Sequence, residues 1–304
     1  MLSIGSRGSQ LALWQARWIQ ARLEALGEEC RIEIIHTTGD RITDVPLAKV
    51  GTKGLFTKEI EEALLRGDID VAVHSMKDMP TDVPSGLTIA AIPQREDPRD
   101  AIVGTPLASL SLGARVGTSS LRRTAQLRAL RPDLAVADLR GNVDTRLRKL
   151  EDRHFDAIVL AAAGLRRLGL EGRIAEVLEP EVMCPAVGQG ALAIETRADN
   201  GLASEICSRL DHAETRAAVS AERAVLGRLG GGCQVPIGAY ASIAHDMLRL
   251  DAVVVSPDGD AIVRLGKAGP VSEAESMGRA LGEELLAMGG REILEDVYGD
   301  AAHG

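Results

Sequence analysis

Aromatic residues make up only 2% of this 304-residue chain: two Phe, two Tyr and two Trp. Its cores must therefore be built from Leu, Ile, Val and Ala. The scarcity also argues against single-stranded nucleic-acid binding, which stacks bases on aromatic rings. No run of uncharged apolar residues reaches the roughly 18–20 needed to span a bilayer. The opening "MLSIGSRGSQLALWQAR" has no basic start followed by an apolar block and a small-residue cleavage site, which predicts a cytoplasmic protein. Cysteine is sparse and unpaired in pattern: Cys30, Cys184, Cys207 and Cys233 form no CxxC and no metal-like spacing, so no metal is expected. Buried reduced thiols account for Cys30 and Cys207. Lysine is scarce as well, with six residues against 29 Arg.

The arginines that replace them are unevenly placed. Residues 95–173 hold fourteen Arg and one Lys against ten Asp or Glu, a local balance of +5 in a chain whose net charge is −9, which leaves −14 for the rest. Arginine offers a planar fork that binds carboxylate or phosphate through two parallel hydrogen bonds. An Arg-rich middle in an acidic chain points to a small polyanion held in a cleft, because duplex binding goes with an overall basic domain. Solvated helix faces account for about half of these arginines.

The length allows two or three domains. Short apolar runs alternate with helical patterns, the mark of α/β architecture. Strands are expected at 2–5, 31–37, 69–74, 87–92, 101–104, 114–117, 134–139, 157–161 and 191–195. The spacing of Leu11, Trp14, Trp18, Ala21 and Ala25 predicts the core-facing stripe of the first helix. Two stretches look alike, "IGSRGSQLAL" at the start and "VGTSSLRRTAQL" at 116–127. Each is a strand, a glycine-bearing turn and a serine (Ser9, Ser120) able to cap a helix whose free N–H groups attract anions. They point to two related halves with a cleft between them. The breaker-rich "PQREDPRD" (93–100) and "CPAVGQG" (184–190) are the expected crossings. After Asn200 come a helix at 212–229, a glycine loop, period-2 strands at 239–243, 248–255 and 261–265 with "SPDGD" as a hairpin turn, and helices at 271–288 and 291–298.

Several stretches carry candidate chemistry. "VAVHSMKDMP" (71–80) ends an apolar strand with Lys77 and Asp78, where α/β proteins bind ligands. Asp78 is a candidate acid, base or cation stabiliser, or else a loop residue capping the next segment. "KVGTKGLFTKEIE" (49–61) puts Lys49, Lys53 and Lys58 on a glycine-bearing loop, either a basic lid or a solvated segment. "LRGNVDTRLRKL" (139–150) places Arg140 at a strand end and Arg146 in the next helix; with Arg122, Arg123 and Arg167, five arginines approach one edge. "GRLGGGCQVPIG" (227–238) sets Cys233 on a stripped loop, as a reactive or an incidental thiol.

Taken together, "IGSRGSQLALWQA", "GTKGLFTKEIE", "HSMKDMP", "GTSSLRRTAQL", "LRGNVDTRL", "AAAGLRRLG", "PAVGQGALAIE" and "GGCQVPIGAYA" resemble the porphobilinogen deaminase (hydroxymethylbilane synthase) family, in the family's order along the chain. The resemblance implies an α/β fold of two periplasmic-binding-protein-like domains plus a smaller α+β C-terminal domain with an antiparallel sheet. Domain 1 would be interrupted, at 1–92 and 189–208, domain 2 would span 98–185 and domain 3 would span 212–304. It implies a transferase, monomeric and cytoplasmic. Four porphobilinogen molecules are joined head to tail on a covalent dipyrromethane primer, with release of ammonia and then, by hydrolysis, of hydroxymethylbilane. Cys233 would carry that dipyrromethane as a thioether and Asp78 would be the catalytic carboxylate. Lys77, Ser120, Arg122, Arg123, Arg140 and Arg146, with Asp78, would hold the cofactor. Arg7, Ser9, Arg140, Arg146, Arg167 and Gln189 would bind substrate, and Lys49, Lys53 and Phe56 would lie on a lid loop. A two-lobed polyanion-binding protein without catalysis would use the same arginines but give Cys233 and Asp78 no work. A thiol-nucleophile hydrolase would need a histidine beside Cys233.

Overall fold

A computed structural model describes residues 1–41, 54–230 and 235–302. The first lobe runs β1 (Leu2–Ser6), α1 (Gln10–Ala25), β2 (Cys30–Ile34), the single turn α2 (Thr38–Arg41), α3 (Lys58–Arg66), β3 (Val71–Ser75) and β4 (Leu87–Ala91). The chain then builds a second lobe from β5 (Asp100–Gly104), β6 (Arg115–Gly117), α4 (Leu121–Leu130), β7 (Ala135–Ala137), α5 (Val143–Glu151), β8 (Ala157–Ala161), α6 (Ala162–Arg167) and β9 (Ile174–Leu178). It returns with β10 (Leu192–Arg197) and α7 (Gly201–Ser208). The last unit holds α8 (Ala213–Arg228), β11 (Ile237–Ala244), β12 (Met247–Val255), β13 (Ile262–Pro270), α9 (Ala274–Leu285) and α10 (Arg291–Ala302).

The two lobes share one sheet plan. The first sheet has the order β2-β1-β3-β10-β4 and the second β7-β6-β8-β5-β9. In each, a parallel trio is followed by one antiparallel strand, β10 or β5, which also pairs antiparallel with the last strand. The third sheet, β11-β12-β13, is wholly antiparallel. The expected class, two α/β lobes and a smaller α+β unit, is what the chain adopts.

β1 is buried along its whole length, as a parallel strand covered on both faces should be. One face of its sheet packs Ile4, Val71, Val73 and Ile194 against Ala16, Ile19 and Leu23 of α1 and Ile206 of α7. The other receives Ile60 and Leu64 of α3. In the last unit, α8 and α9 cover one face of the antiparallel sheet through Val225, Leu281 and Leu285.

Two sequence expectations need correction. α1 does not bury Leu11, Trp14, Trp18, Ala21 and Ala25; its buried positions are Gln15, Ala16, Ile19 and Leu23. The tryptophans lie on the flank, stacked 6.3 Å apart, with Arg22 over Trp18 and Arg167 5.8 Å from Trp14. Cationic side chains on ring faces serve them where a second apolar layer is lacking. β9 had no counterpart in the sequence reading, because Glu176 interrupts its apolar run; that carboxylate accepts the Leu107 amide at 2.7 Å.

The crossings between the lobes lie side by side. Gly190, at φ +86°, would place a Cβ 2.4 Å from the Glu96 carbonyl, so only glycine fits there. Arg95 joins both crossings to the last unit. It donates to the Gln189 carbonyl at 2.7 Å and meets the buried Glu222 carboxylate at 2.6 and 3.1 Å. Glu222 also accepts the Gly188 and Ala241 amides.

Candidate active site between the lobes

Strand β3 stops at Ser75, and residues 76–78 form one tight helical turn. Met76 and Met79 are buried and pin this turn, and the Met76 amide donates to the Ala191 carbonyl at 3.0 Å. From α8, Arg223 donates to the Pro80 and Thr81 carbonyls at 2.7 and 2.8 Å, holding the exit of the turn. Lys77 and Asp78, between the anchors, face a cavity of about 310 Å³ between the lobes. Arg7, Ser9 and Phe56 line the same side, with the Arg7 guanidinium 4.2 Å from the centre of the Phe56 ring.

The opposite wall belongs to the second lobe: Arg123 from α4, and Asn142, Asp144 and Arg146 around the start of α5. Both expected serine caps are formed. Ser9 Oγ accepts the Ala12 amide at 3.3 Å and Ser120 Oγ accepts the Arg123 amide at 3.5 Å. Beneath α4 lies Asp100, fully buried at the head of β5. Its carboxylate accepts from Arg122 at 2.7 Å and from Arg123 at 3.0 and 2.7 Å, and Gln189 Nε2 adds a bond at 2.9 Å. Burial alone would raise the Asp100 carboxyl, but the two guanidinium groups outweigh it and hold it well below the usual carboxylate range.

The positive charge of the cleft is costly to desolvate. Burial lowers Lys77 to about 8, with Asp78 acting in the opposite sense. Burial lowers Arg146 to about 10, helped by repulsion from Arg123 and opposed by Asp138. Burial also lowers Arg167 to about 10. Arg140 keeps a buried Nη1 with no hydrogen-bond partner among the described residues. Such a set favours an anion, whose arrival gives the open Arg140 donor a partner and returns the counter-charge.

The expected site residues are thus only partly gathered. Arg7, Ser9, Phe56, Lys77, Asp78, Arg123 and Arg146 line the cavity. Ser120, Arg122, Arg140, Arg167 and Gln189 do not line it. Arg122 spends its guanidinium on Asp100 and the Cys184 carbonyl, Gln189 donates its side-chain amide to the Pro98 carbonyl and Asp100, and Arg167 donates to the Gly190 carbonyl at 2.6 Å. Cys233, Lys49 and Lys53 lie outside the described residues. Asp100 was not foreseen as a site residue. An acid at the head of the apolar run "DAIVG", beside an arginine-rich stretch, was the available signal. Among the described residues no cluster could hold a metal ion, and no helix is long and apolar enough to cross a membrane.

A dipyrromethane bears four carboxylates on two rings, and the cleft answers with Lys77, Arg123 and Arg146 in its wall and the unsatisfied Arg140 behind it. The donor set fits such a group. Known proteins agree. Residues 2–205 match the family model described as porphobilinogen deaminase, dipyromethane cofactor binding domain, and residues 216–287 match the porphobilinogen deaminase C-terminal domain. The porphobilinogen deaminase of Syntrophobacter fumaroxidans is 53% identical over 303 residues, covering 98% of each chain. That of Pelobacter propionicus is 54% identical over 301 residues, covering 98% of this chain and 97% of its own. A periplasmic substrate-binding protein of an ABC transporter from Coxiella burnetii aligns with a TM-score of 0.42 at 14% identity, over 69% of this chain and 92% of its own. With matches over nearly its whole length, this chain belongs to the porphobilinogen deaminase family.

Proposed function

We propose that Asp78 is the catalytic carboxylate of a hydroxymethylbilane synthase, working against the cationic wall formed by Lys77, Arg123 and Arg146. The family's reaction joins four porphobilinogen molecules head to tail, expels ammonia at each step and releases the linear tetrapyrrole by hydrolysis. The observation that carries the assignment is the placing of Asp78 and four cations, Arg7, Lys77, Arg123 and Arg146, around a single cavity, whose one other carboxylate, Asp144, lies on the opposite wall. Departure of ammonia leaves an electron-poor azafulvene cation on the porphobilinogen, and an adjacent carboxylate stabilises that charge. Asp78 also accepts the proton that the acceptor pyrrole sheds on coupling. The arginines fix the acetate and propionate arms, which orients each ring without taking part in proton transfer.

Cys233 would carry the dipyrromethane, which when bound would supply the acceptor carbon on which the chain starts. In this reading Lys77, Arg123 and Arg146 hold its carboxylates directly, Arg140 lies behind them, and Ser120 and Arg122 keep α4 in place. Arg7, Ser9, Arg167 and Gln189 serve the substrate, and Phe56 with Lys49 and Lys53 covers the site. The domains follow the crossings, at 1–92 with 189–208, at 98–185 and at 212–304. The protein acts as a cytoplasmic monomer, and nucleic acid has no part in the reading.

The test is the intact mass of the purified chain beside that of Cys233→Ser. An excess equal to two deaminated porphobilinogen units, absent from the variant, supports the reading. A bare mass that stays unchanged after porphobilinogen is added sinks it and leaves a polyanion-binding protein.

A further inference from the structure

The face of the first sheet that meets α3 buries three titratable side chains with no part in the steps above. His74 pairs with Ala193 and Glu195 with Ala72 across β3 and β10, so the two side chains are diagonal neighbours on one face. His74 Nε2 and Glu195 Oε2 are 3.0 Å apart, with the residues 5% and 0% exposed. Glu61 approaches from α3, also buried. Burial raises its carboxyl, the Thr57 hydroxyl opposes this, and the Glu195 charge adds to it. Glu195 Oε1 and Glu61 Oε1 are both buried without a hydrogen-bond partner among the described residues. Apolar residues of like volume would pack this face without stranding acceptors, so stability does not explain the trio.

The trio has an outlet. A cavity of about 70 Å³ has both His74 and Asp78 in its wall, together with Arg7, Ser9, Thr57 and Ser75. That is ample space for ordered water, and its lining offers polar partners. The groups facing His74 are therefore Glu195 from β10, Glu61 from α3, Asp78 from the turn after β3, and Arg7 from beyond β1.

We propose that His74, held by Glu195, is the inner end of a proton path running through this cavity to Asp78, and that the pair stores one proton during each condensation. The inference rests on the assignment of Asp78 above. In each cycle the C–N bond of the porphobilinogen ammonium breaks and its electron pair leaves on ammonia. A carbon–carbon bond then forms from the acceptor pyrrole, whose α-carbon afterwards sheds its proton. That proton and the departed ammonia together make one ammonium ion, so none is gained or lost, but the two events are separated in time. Asp78 takes the proton and passes it to the pair, and the pair returns it through Asp78 to the departing ammonia before the next coupling, so that Asp78 enters each cycle as a carboxylate. His74 and Glu195 act through Asp78 and are positioning residues.

The experiment is the pH dependence of kcat and KM for the holoenzymes of Glu195→Gln, His74→Gln and Asp78→Asn beside the parent. Glu195→Gln is expected to lose at least about tenfold in kcat with KM unchanged. Its kcat profile should also differ in shape from the parent's, because the limb that depends on the His74–Glu195 pair has lost its carboxylate. His74→Gln should abolish that limb. It also serves as the second variant should Glu195→Gln fail to fold, which circular dichroism will reveal. Profiles that superimpose on the parent's, or fall by one factor at every pH, overturn the proton path while leaving Asp78 in place, provided Asp78→Asn is inactive. Turnover that survives in Asp78→Asn overturns the underlying assignment itself.

Discussion

Ser9 and Ser120 occupy equivalent places in two lobes of one plan. Each follows the second strand of its sheet, β1 or β6, and each caps the helix that comes next. Past the caps the lobes diverge. α1 continues into a helix that packs on the sheet and leaves the cleft work to the turn after β3, where Lys77 and Asp78 are held by the buried Met76 and Met79 and by bonds from Arg223 to backbone carbonyls. α4 continues at once into Arg122 and Arg123, both locked by the buried Asp100. The first lobe thus carries groups whose charge can change, and the second carries charge that is fixed. A carboxylate that must accept and release protons belongs where packing, not ion pairing, sets its position. Arginines that only grip are best immobilised by a counter-ion.

That contrast is most easily broken at Asp78. Asp78→Asn keeps the shape of the side chain and removes its charge, so turnover should fall by about 10²–10³ or more with the melting temperature nearly unchanged. A single-turnover assay of ammonia release checks it. The complementary change in the second lobe is Asp100→Ala, which strands two buried guanidinium groups. It should cost about 3–5 kcal/mol in urea unfolding, the reverse pattern to Asp78→Asn. Loss of activity at full stability would mean that Asp100 acts on the chemistry rather than on its scaffold.

Lys77 provides a titration within the first lobe. Its pKa is lowered to about 8, from an ordinary value of about 10.5, because burial disfavours the ammonium. Unfolding therefore takes up a proton between those two values, and the stability of the primer-free Cys233→Ser chain should rise as pH increases through that window. Below about 8 the full cost of the buried charge is present. Above about pH 8 the ammonium that grips a cofactor carboxylate is lost, so the rate at which the primer-free parent chain loads its dipyrromethane should fall there. Lys77→Met should remove both effects, as paired melting curves and initial rates will show.

The smallest effect is the most direct test of symmetry. Ser9→Ala and Ser120→Ala each remove one helix cap and should cost about 1 kcal/mol apiece. Ser120→Ala should disturb binding more, because it loosens the first turn of α4, which carries Arg123. Equal losses in KM would show that the two caps serve the cleft alike.

Local patterns were enough for the parts of the molecule that depend on neighbours in the chain. The caps, the "SPDGD" hairpin, the strands of both sheets other than β9, and the sites of Lys77 and Asp78 follow from turn chemistry and apolar runs a few residues long. They failed on α1, whose buried face is chosen by where the sheet lies and not by where its largest side chains fall. Gln15 is buried there because Ser75 of β3 is 2.9 Å from its amide nitrogen, a contact sixty residues away. They failed likewise on Asp100, which reads as one acid in an acidic crossing until β5 carries it beneath α4.

The sequence by itself determined the family, the two-lobed α/β class with its antiparallel third unit, and the arginine-rich character of the middle. Tertiary structure alone decided that Arg123, though bonded to Asp100, and Arg146 reach the cavity while Arg122 and Arg167 do not. It alone set His74 against Glu195. The physical reason is range. Propensity, capping and turn formation act within a few residues, whereas desolvation and charge pairing depend on which distant segments fold to one place.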